Sequence, residues 1–320
     1  MEIRIASEND YNEIVSLCKY FNTSPLTFDK EFLLLSQGNG IQPSFAKVII
    51  NSQYTFTIVM SEKNNILGFI TVGVNPFLSN MLHKKIGNIL LLVVKPEYQG
   101  KGFGKALVKK GVLFLKSLGA ELITVSTDIY NIPAICAYES NGFKFRMSWH
   151  IFRYFNFDPR PDKLNEFIEP IVNIKKIYNF YDSFYRPVSL LYENTLDKSL
   201  VKDYLFENLL DSILKGKIFA LEYTHGNKAI LTYQYDEILQ EALQTDKRVV
   251  KILDILFLQN IDESEKNFLA RELLSDIKNR LFDACLVEMW VRSEDQYLIK
   301  TLEKNGFSLS YTGVYLHYKF

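Results

Sequence analysis

Cysteine is scarce in this chain, which has three cysteines among 320 residues. Cys18, Cys136 and Cys285 are widely spaced, and no two of them form a C-x-x-C pair. Such a set supports neither a disulfide framework nor a structural zinc site, because both need several cysteines at close, defined spacings. We therefore expect reduced thiols and no metal cofactor.

An excess of positive charge is also absent, since 37 Lys and Arg residues are matched by 37 Asp and Glu residues. Nucleic acids and anionic membranes are attracted by a basic surface field, which a chain of zero formal net charge does not generate. We therefore expect no nucleic-acid partner and no membrane partner.

Long hydrophobic runs are missing as well. The longest apolar run, Ile89–Val94, is far shorter than the roughly 20 residues that span a bilayer. The first residues carry acids where a secretory signal has a basic start and an apolar stretch. The sequence thus predicts a cytoplasmic chain without a transmembrane helix. Apolar residues still make up 48% of the chain, which is enough for two packed domains.

Helical and strand patterns alternate along the first half, which predicts a mixed α/β fold (α+β). Apolar consecutive residues at Ile89–Val94 are typical of a central strand, and Pro96 ends it. The other predicted strands are 2–6, 54–60, 66–74, 122–125, 143–145 and 150–155, and the predicted helices follow Ser7, lie near 28–37, cover 105–118 and follow Asn131.

The segment Asp158–Asp162 contains two prolines and is the best candidate for a domain boundary. Beyond it the order of elements partly recurs, and Glu139–Phe143 (ESNGF) is echoed by Glu303–Phe307 (EKNGF), 164 residues later. We interpret this as an internal duplication. The predicted domains are 1–158, carrying the functional motifs, and 163–320, a degenerate copy that packs against the first and shapes an acceptor site.

Three alternating glycines, Gly100, Gly102 and Gly104, connect the central strand to the following helix. Glycine lets the backbone approach a ligand closely, and the free N–H groups of a helix start attract an anion such as a pyrophosphate. Local positive charge supports this interpretation and comes from Lys95, Lys101, Lys105, Lys109 and Lys110. The alternative is a glycine-rich turn that only closes the strand–helix connection.

Two motifs here resemble those of a known family. Gln99-x-x-Gly102-x-Gly104, after a strand ending in Val94-x-Pro96, is similar to the acyl-CoA signature of the GNAT-type N-acetyltransferases. A second motif, which begins 27 residues after Gly104 and runs from Asn131 through Tyr138 to Phe143, is similar to the second motif of that family. The resemblance covers residues 1 to about 155. It implies two tandem GNAT-like domains, each with a mixed, mostly antiparallel sheet flanked by helices.

The resemblance also implies a function, which is acetyl transfer from acetyl-CoA to a small-molecule or peptide amine. Backbone amides would hold the pyrophosphate, strand residues would pair with the pantetheine arm, and Tyr138 would protonate the departing thiolate. Asn131 would hydrogen-bond the pantetheine, with a plain helix cap as its alternative, and a packed ring is the alternative for Tyr138. The implied coenzyme-binding residues are Val93, Val94, Gln99, Gly100, Lys101, Gly102, Phe103, Gly104, Lys105, Asn131 and Tyr138.

The proton acceptor is where the sequence departs from the family pattern. Ser126 stands five residues before Asn131, where some members carry an acid, and Leu90 and Leu91 replace acids of the central strand. Asp128 is the nearest substitute, with a loop or cap role as its alternative. His83 and His150 are further candidates, and Cys136 raises a covalent route that has no activating base near it in sequence.

The second half provides an internal control for these assignments. At the 164-residue offset, Gly102 falls on Lys266, Gly104 on Phe268 and Tyr138 on Leu302. We therefore expect no second coenzyme site, and the aromatic cluster 178–185 is interpreted as interior packing or a pocket lining. A second functional hypothesis is a non-catalytic acyl-CoA-binding module that regulates a partner. The sequence selects neither the amine nor the oligomeric state.

Overall fold

The computed structural model describes residues 1–21, 50–63, 65–156, 164–171, 207, 211–243, 245–258 and 260–320. The predicted helix near 28–37, the boundary Asp158–Asp162 and the aromatic cluster 178–185 lie outside these ranges. The chain divides into two compact units, of which the first comprises Met1–Ser148 with Gly313–Phe320 and the second comprises Trp149–Thr312.

The sheet of the first unit begins with strand β1 (Glu2–Ile5) and the antiparallel hairpin of β2 (Thr55–Glu62) and β3 (Asn65–Val74). Strand β4 (Ile86–Val94) continues it antiparallel to β3 and is followed in parallel by β5 (Leu122–Asp128). Helices α1 (Tyr11–Leu17) and α2 (Pro76–Leu82) complete this part. Sequence analysis missed α2, although Asn75 caps it and Pro76 starts it.

Two further helices of the first unit carry the sequence motifs. Helix α3 (Phe103–Ser117) follows β4, and α4 (Ile132–Glu139) follows β5. Their apolar faces pack on the sheet, where Leu107, Val108 and Leu115 are fully buried. Burial of a Leu or Val side chain contributes about 1.5–3 kcal/mol each, so α3 is fixed firmly against β3 and β4.

The second unit repeats this order of elements. Its strands are the second part of β6 (Lys144–Phe155), β7 (Ile168–Pro170), β8 (Ile218–Tyr223), β9 (Ala229–Tyr235), β10 (Arg248–Phe257), β11 (Ala284–Arg292) and the first part of β12 (Ser308–Lys319). Its helices are α5 (Glu237–Ala242), α6 (Glu263–Arg280) and α7 (Gln296–Lys304). The strands at 143–145 and 150–155 expected from the sequence are the single strand β6.

Each unit contains a strand segment from the other half of the sequence. Residues Gly313–Lys319 of β12 pair antiparallel with Asp128–Leu122 of β5 in the first unit. Residues Trp149–Phe155 of β6 pair antiparallel with Arg292–Leu286 of β11 in the second unit. The last eight residues of the chain therefore belong to the first unit, which a boundary at residue 158 does not anticipate. The mixed, mostly antiparallel sheets flanked by helices confirm the predicted fold class.

The pairing of β12 with β5 predicts the behaviour of the first half expressed alone. A fragment of residues 1–158 lacks Val314 and Leu316, which are 5% and 1% exposed in the core, and leaves one edge of β5 unpaired. We expect this fragment to aggregate, because an unpaired strand edge can pair with another copy of the chain.

Sedimentation and calorimetry of the fragment test this expectation. A second fragment that carries residues 308–320 on a flexible linker is the matched control, and it should recover solubility. A 1–158 fragment that stays soluble and monomeric would contradict the role of the last strand.

Candidate functional site

Strands β4 and β5 diverge in the middle of the first unit's sheet. They pair in parallel only from Ile86 to Ile89 of β4. In the pairing of β4 with β3, Thr71 lies opposite Leu91 and the next residue, Val72, lies opposite Ile89. Leu90 is therefore an extra residue in β4. Such a bulge bends a strand and increases its local twist. Within the described residues, no strand pairs with the second edge of β4 beyond this bulge.

The backbone groups on this open edge belong to Leu92 and Val94. The Lys95 N–H donates to the Leu67 carbonyl of β3 at 2.9 Å, and a Cβ on Gly68 would lie 2.6 Å from the Val93 carbonyl oxygen. Val93 and Lys95 thus face β3, and alternation along a strand directs the N–H and C=O of Leu92 and Val94 the other way. Sequence analysis named Val93 and Val94 and did not include Leu92.

A turn with two left-handed glycines leads from β4 into α3. Gly100 has φ of 71° and Gly102 has φ of 83°, and a Cβ built on either meets no atom within 4 Å. Positive φ explains why both positions are glycine. The Gln99 N–H donates to the Pro96 carbonyl at 3.2 Å, and its side-chain amide donates to the Val94 carbonyl at 2.9 Å. Gln99 therefore braces the turn, and its backbone amide is already used.

The start of α3 has unused donors and no negative charge. The first bond of the helix is from the Ala106 N–H to the Gly102 carbonyl, at 3.0 Å, so the N–H groups of Phe103, Gly104 and Lys105 have no acceptor within the helix. No acid lies in the first turn. Gly104 is helical, and a Cβ there would meet only Val94 Cγ2, at 4.0 Å. Neither packing nor φ requires glycine at position 104, which leaves space for a ligand.

The lysines near this helix start are not equivalent. Lys95 Nζ is 3.3 Å from the Glu13 carboxylate and 2.6 Å from Asn65 Oδ1, so its charge is compensated. Lys101 Nζ lies 5.3 Å from the centre of the Tyr98 ring, which stacks on Phe103 at 5.6 Å. The positive charge next to the free amides is thus smaller than the sequence predicts.

Asn131 is the N-cap of α4, since its Oδ1 accepts the Ala134 N–H at 3.3 Å. This is the alternative role that sequence analysis weighed for it. A cap uses only the oxygen of the amide, and the Nδ2 group makes no hydrogen bond to any residue that the structure describes. Capping and ligand binding by Asn131 are therefore compatible.

Tyr138 lies on α4 and is 4% exposed. Its ring packs on Phe143 at 5.7 Å, whereas its hydroxyl makes no hydrogen bond to the described residues. Burial raises the pKa of this phenol well above its usual range, because the phenolate would lose its hydration. The hydroxyl thus keeps its proton at neutral pH, as a proton donor must.

Asp128 ends β5 and is 4% exposed. Its Oδ1 accepts the Tyr130 N–H at 2.7 Å, and its carbonyl accepts the Asn131 N–H at 3.0 Å. These bonds form the turn between β5 and α4, which is the loop role considered as the alternative for this acid. Asp128 therefore positions the start of α4.

The remaining candidates from the sequence are dispersed. His83 ends α2 with φ of 49°, and Cys136 is exposed on α4. His150 lies in the second unit, where its Nδ1 is 2.9 Å from Thr312 Oγ1 and burial lowers its pKa. Across the described ranges, no cluster of three His, Cys, Asp or Glu side chains is arranged for a metal ion.

The corresponding helix start of the second unit is occupied by acids. Eight residues (95–102) separate β4 from α3, but only five (258–262) separate β10 from α6. The helix starts therefore match Gly102 with Asp262 and Gly104 with Ser264, which corrects the pairing with Lys266 and Phe268. The Asp262 side chain accepts the Glu265 N–H at 2.9 Å. Glu263 adds negative charge in the first turn, whereas the Glu265 carboxylate pairs with Lys228. The Asp262 cap thus takes up one free N–H group at this helix start, and the negative charge there repels an anion.

Comparison with known sequences identifies relatives of the first unit. The acetyltransferase (GNAT) family model matches residues 27–143. Proteins named mycothiol acetyltransferase are 35% identical over 88 residues in Pseudarthrobacter chlorophenolicus and 39% identical over 62 residues in Acidothermus cellulolyticus. These segments cover 28% and 19% of this chain. The chain spans only 27% of the length of the first relative and 19% of the length of the second.

Solved structures resemble the chain over its whole length. A GCN5-related N-acetyltransferase from Sphaerobacter thermophilus has a TM-score of 0.62 at 11% identity, covering 99% of this chain and 95% of that one. A tandem GNAT protein from the clavulanic acid biosynthesis pathway has a TM-score of 0.55 at 10% identity, covering 99% and 98%. These likenesses establish the tandem fold.

None of the helices in the described ranges has the length and apolar character that a bilayer crossing demands.

Proposed function

Residues 27–143 of this chain belong to the GNAT acetyltransferase family, and on that premise we propose that the chain transfers an acetyl group from acetyl-CoA to a primary amine at one site in its first unit. The observation that carries the proposal is the open edge of β4, which leads directly to the free N–H groups at the start of α3. The edge matches the extended amide chain of pantetheine, and the helix start matches its pyrophosphate.

Acetyl-CoA fits these residues on two structural grounds. The pantetheine arm would add to β4 as a short strand and hydrogen-bond the backbone of Leu92 and the N–H of Val94, because no described strand pairs with that edge. The Val94 carbonyl already accepts the Gln99 side-chain amide. The pyrophosphate would take the N–H groups of Phe103, Gly104 and Lys105, with Gly100, Lys101 and Gly102 in the preceding turn and the helix dipole behind them. The missing Cβ of Gly104 lets the phosphate approach.

The transfer would be a direct attack without a covalent enzyme intermediate. A neutral amine attacks the thioester carbon, and an N–H on the β4 edge stabilises the charge that develops on the carbonyl oxygen. The C–S bond then breaks, and the Tyr138 hydroxyl gives its proton to the departing thiolate. The Asn131 Nδ2 group would donate to a pantetheine carbonyl while its Oδ1 caps α4.

The proton lost by the amine needs an acceptor. Asp128 serves this role in our proposal only through an intervening water, because its Oδ1 already accepts the Tyr130 N–H. The same observation favours a second candidate function, which is an acyl-CoA-binding module without turnover. The two functions differ in whether free CoA is released when an amine is present.

A panel of amines assayed for CoA release from acetyl-CoA tests the proposed function. The panel includes amino sugars, amino acids, polyamines, aminoglycoside antibiotics and peptide N-termini, together with the acceptor used by mycothiol acetyltransferases. Since those relatives match only a fraction of this chain, their acceptor is one member of the panel. Release with at least one amine, and an acetylated product of the expected mass, supports transfer. Tight acetyl-CoA binding without release by any amine would favour the binding module.

A further inference from the structure

Three aromatic rings, those of Tyr138, Phe143 and Tyr318, contact one another in series from α4 to β12, with tilted ring planes. The Tyr138 ring lies 5.7 Å from Phe143, and Phe143 lies 5.6 Å from Tyr318. Tyr318 is in the β12 segment that pairs with β5, opposite Ile123. Phe143 is 2% exposed, so the ring that links the two tyrosines is fixed within the core.

The turn after α4 is built around Tyr318. Gly142 has φ of 91°, and a Cβ on it would lie 3.1 Å from Tyr318 Cε2. The Phe143 N–H donates to the Tyr138 carbonyl at 3.2 Å. Tyr318 therefore packs on the turn that joins Tyr138 to Phe143, and displacement of its ring would loosen both contacts.

The second unit contains the same packing without the tyrosine on the helix. Tyr154 of β6 lies 5.6 Å from Phe307, and a Cβ on Gly306 would lie 3.6 Å from Tyr154 Cε2. Leu302 takes the place of Tyr138 on α7. The strand tyrosine is thus part of the architecture of both units, but only in the first unit does it support a buried phenol.

Ring packing is what holds the Tyr138 hydroxyl in place. A buried tyrosine is ordinarily fixed by a hydrogen bond to its hydroxyl, yet no described residue bonds this one. Its position then depends on the packing of its ring in the core, which includes the contact with Phe143 and, through Phe143, Tyr318. Proton transfer is sensitive to such placement, since a misplacement of about 1 Å can cost up to about 100-fold in rate.

We propose that Tyr318 is a positioning residue for the proton donor Tyr138, so that a residue of β12 tunes acetyl transfer in the first unit. The inference rests on the proposed function. Tyr318 acts through its contacts with Phe143 and with the turn at Gly142.

Four variants of the full chain test the inference, with single-turnover acetyl transfer and acetyl-CoA affinity measured for each. Tyr318→Leu removes the ring and should slow transfer about tenfold to 100-fold while changing affinity less than threefold. Tyr318→Phe keeps the ring and should transfer at the wild-type rate. In the Tyr138→Phe background, Tyr318→Leu should cause no further loss, because the hydroxyl that it positions is gone. The matched change Tyr154→Leu in the second unit should leave the transfer rate unchanged.

Fluorine NMR of protein labelled with 3-fluorotyrosine gives a readout that needs no acceptor. The Tyr138 signal is the one missing in Tyr138→Phe, and it should shift or broaden in Tyr318→Leu but not in Tyr154→Leu. If no amine is acetylated by the wild type, the proposed function fails, and the NMR result alone decides the positioning role. An unchanged Tyr138 signal in folded Tyr318→Leu, or an equal loss of rate in both Tyr138 backgrounds, would overturn the inference.

Discussion

Tyr138→Phe is expected to lower the single-turnover rate of acetyl transfer by about 10²- to 10⁴-fold. The substitution removes the phenol proton and keeps the ring that packs on Phe143. Acetyl-CoA affinity should therefore change less than about tenfold. Single-turnover measurement is needed because product release can mask a slower chemical step under steady-state conditions.

Tyr54→Phe is the matched control for this substitution, since Tyr54 is 47% exposed immediately before β2, outside the proposed machinery. It should leave transfer unchanged. The pH dependence of the transfer rate adds a second check. Because burial raises the pKa of Tyr138, the donor stays protonated, and the rate should not fall between neutral and mildly alkaline pH. A wild-type single-turnover rate for Tyr138→Phe would reduce Tyr138 to a packed ring.

Gly104→Glu is expected to weaken acetyl-CoA binding by about 3 kcal/mol or more, which is more than about 100-fold. The new side chain occupies the space in front of the α3 amides and repels the pyrophosphate. The fold should tolerate it, because a Cβ at this position meets only Val94 Cγ2 at 4.0 Å. A carboxylate near a helix N-terminus and the replacement of a helical glycine both stabilise the folded protein without ligand. The melting temperature should therefore stay the same or rise.

Ser264→Glu is the matched control, because Ser264 occupies the corresponding place in α6 and is exposed. It should leave acetyl-CoA affinity unchanged. If Gly104→Glu weakens acetyl-CoA binding without lowering the melting temperature, the loss of binding comes from a blocked site and not from unfolding. Retention of tight binding by folded Gly104→Glu would contradict the assignment of the site.

The elements of the fold and the two motifs could be predicted because their signals are local. Apolar spacing identifies α1, the β2–β3 hairpin and α3, and Pro96 marks the end of β4. The glycines at 100 and 102 are explained by their positive φ, which is a constraint on individual residues. The family model that matches residues 27–143 agrees with the GNAT resemblance, and the solved structures confirm the tandem fold.

The open edge of β4 could not be predicted, because it depends on pairing between strands that are distant in sequence. Consecutive apolar residues suggest a strand covered on both sides, yet Leu90 forms a bulge and is 37% exposed. Nothing in the run Ile89–Val94 distinguishes the bulged position. The inclusion of Leu92 in the site follows only from the hydrogen-bond direction of Val93 and Lys95.

The two exchanged strand segments escaped sequence analysis for a similar reason. A fixed offset of 164 residues aligns Tyr318 with Tyr154, but sequence order alone does not tell which sheet each strand joins. The same offset fails between β10 and α6, where the connection is three residues shorter. The expectation of no anion site at the start of α6 therefore rests on Asp262 and Glu263, rather than on Lys266 and Phe268.

Calorimetric titration of acetyl-CoA into the full chain tests most directly that one site, in the first unit, holds the coenzyme. We expect a stoichiometry of one per chain, with binding lost in Gly104→Glu and kept in Ser264→Glu. A stoichiometry of two equivalent sites, or binding abolished by Ser264→Glu and kept by Gly104→Glu, would contradict the account.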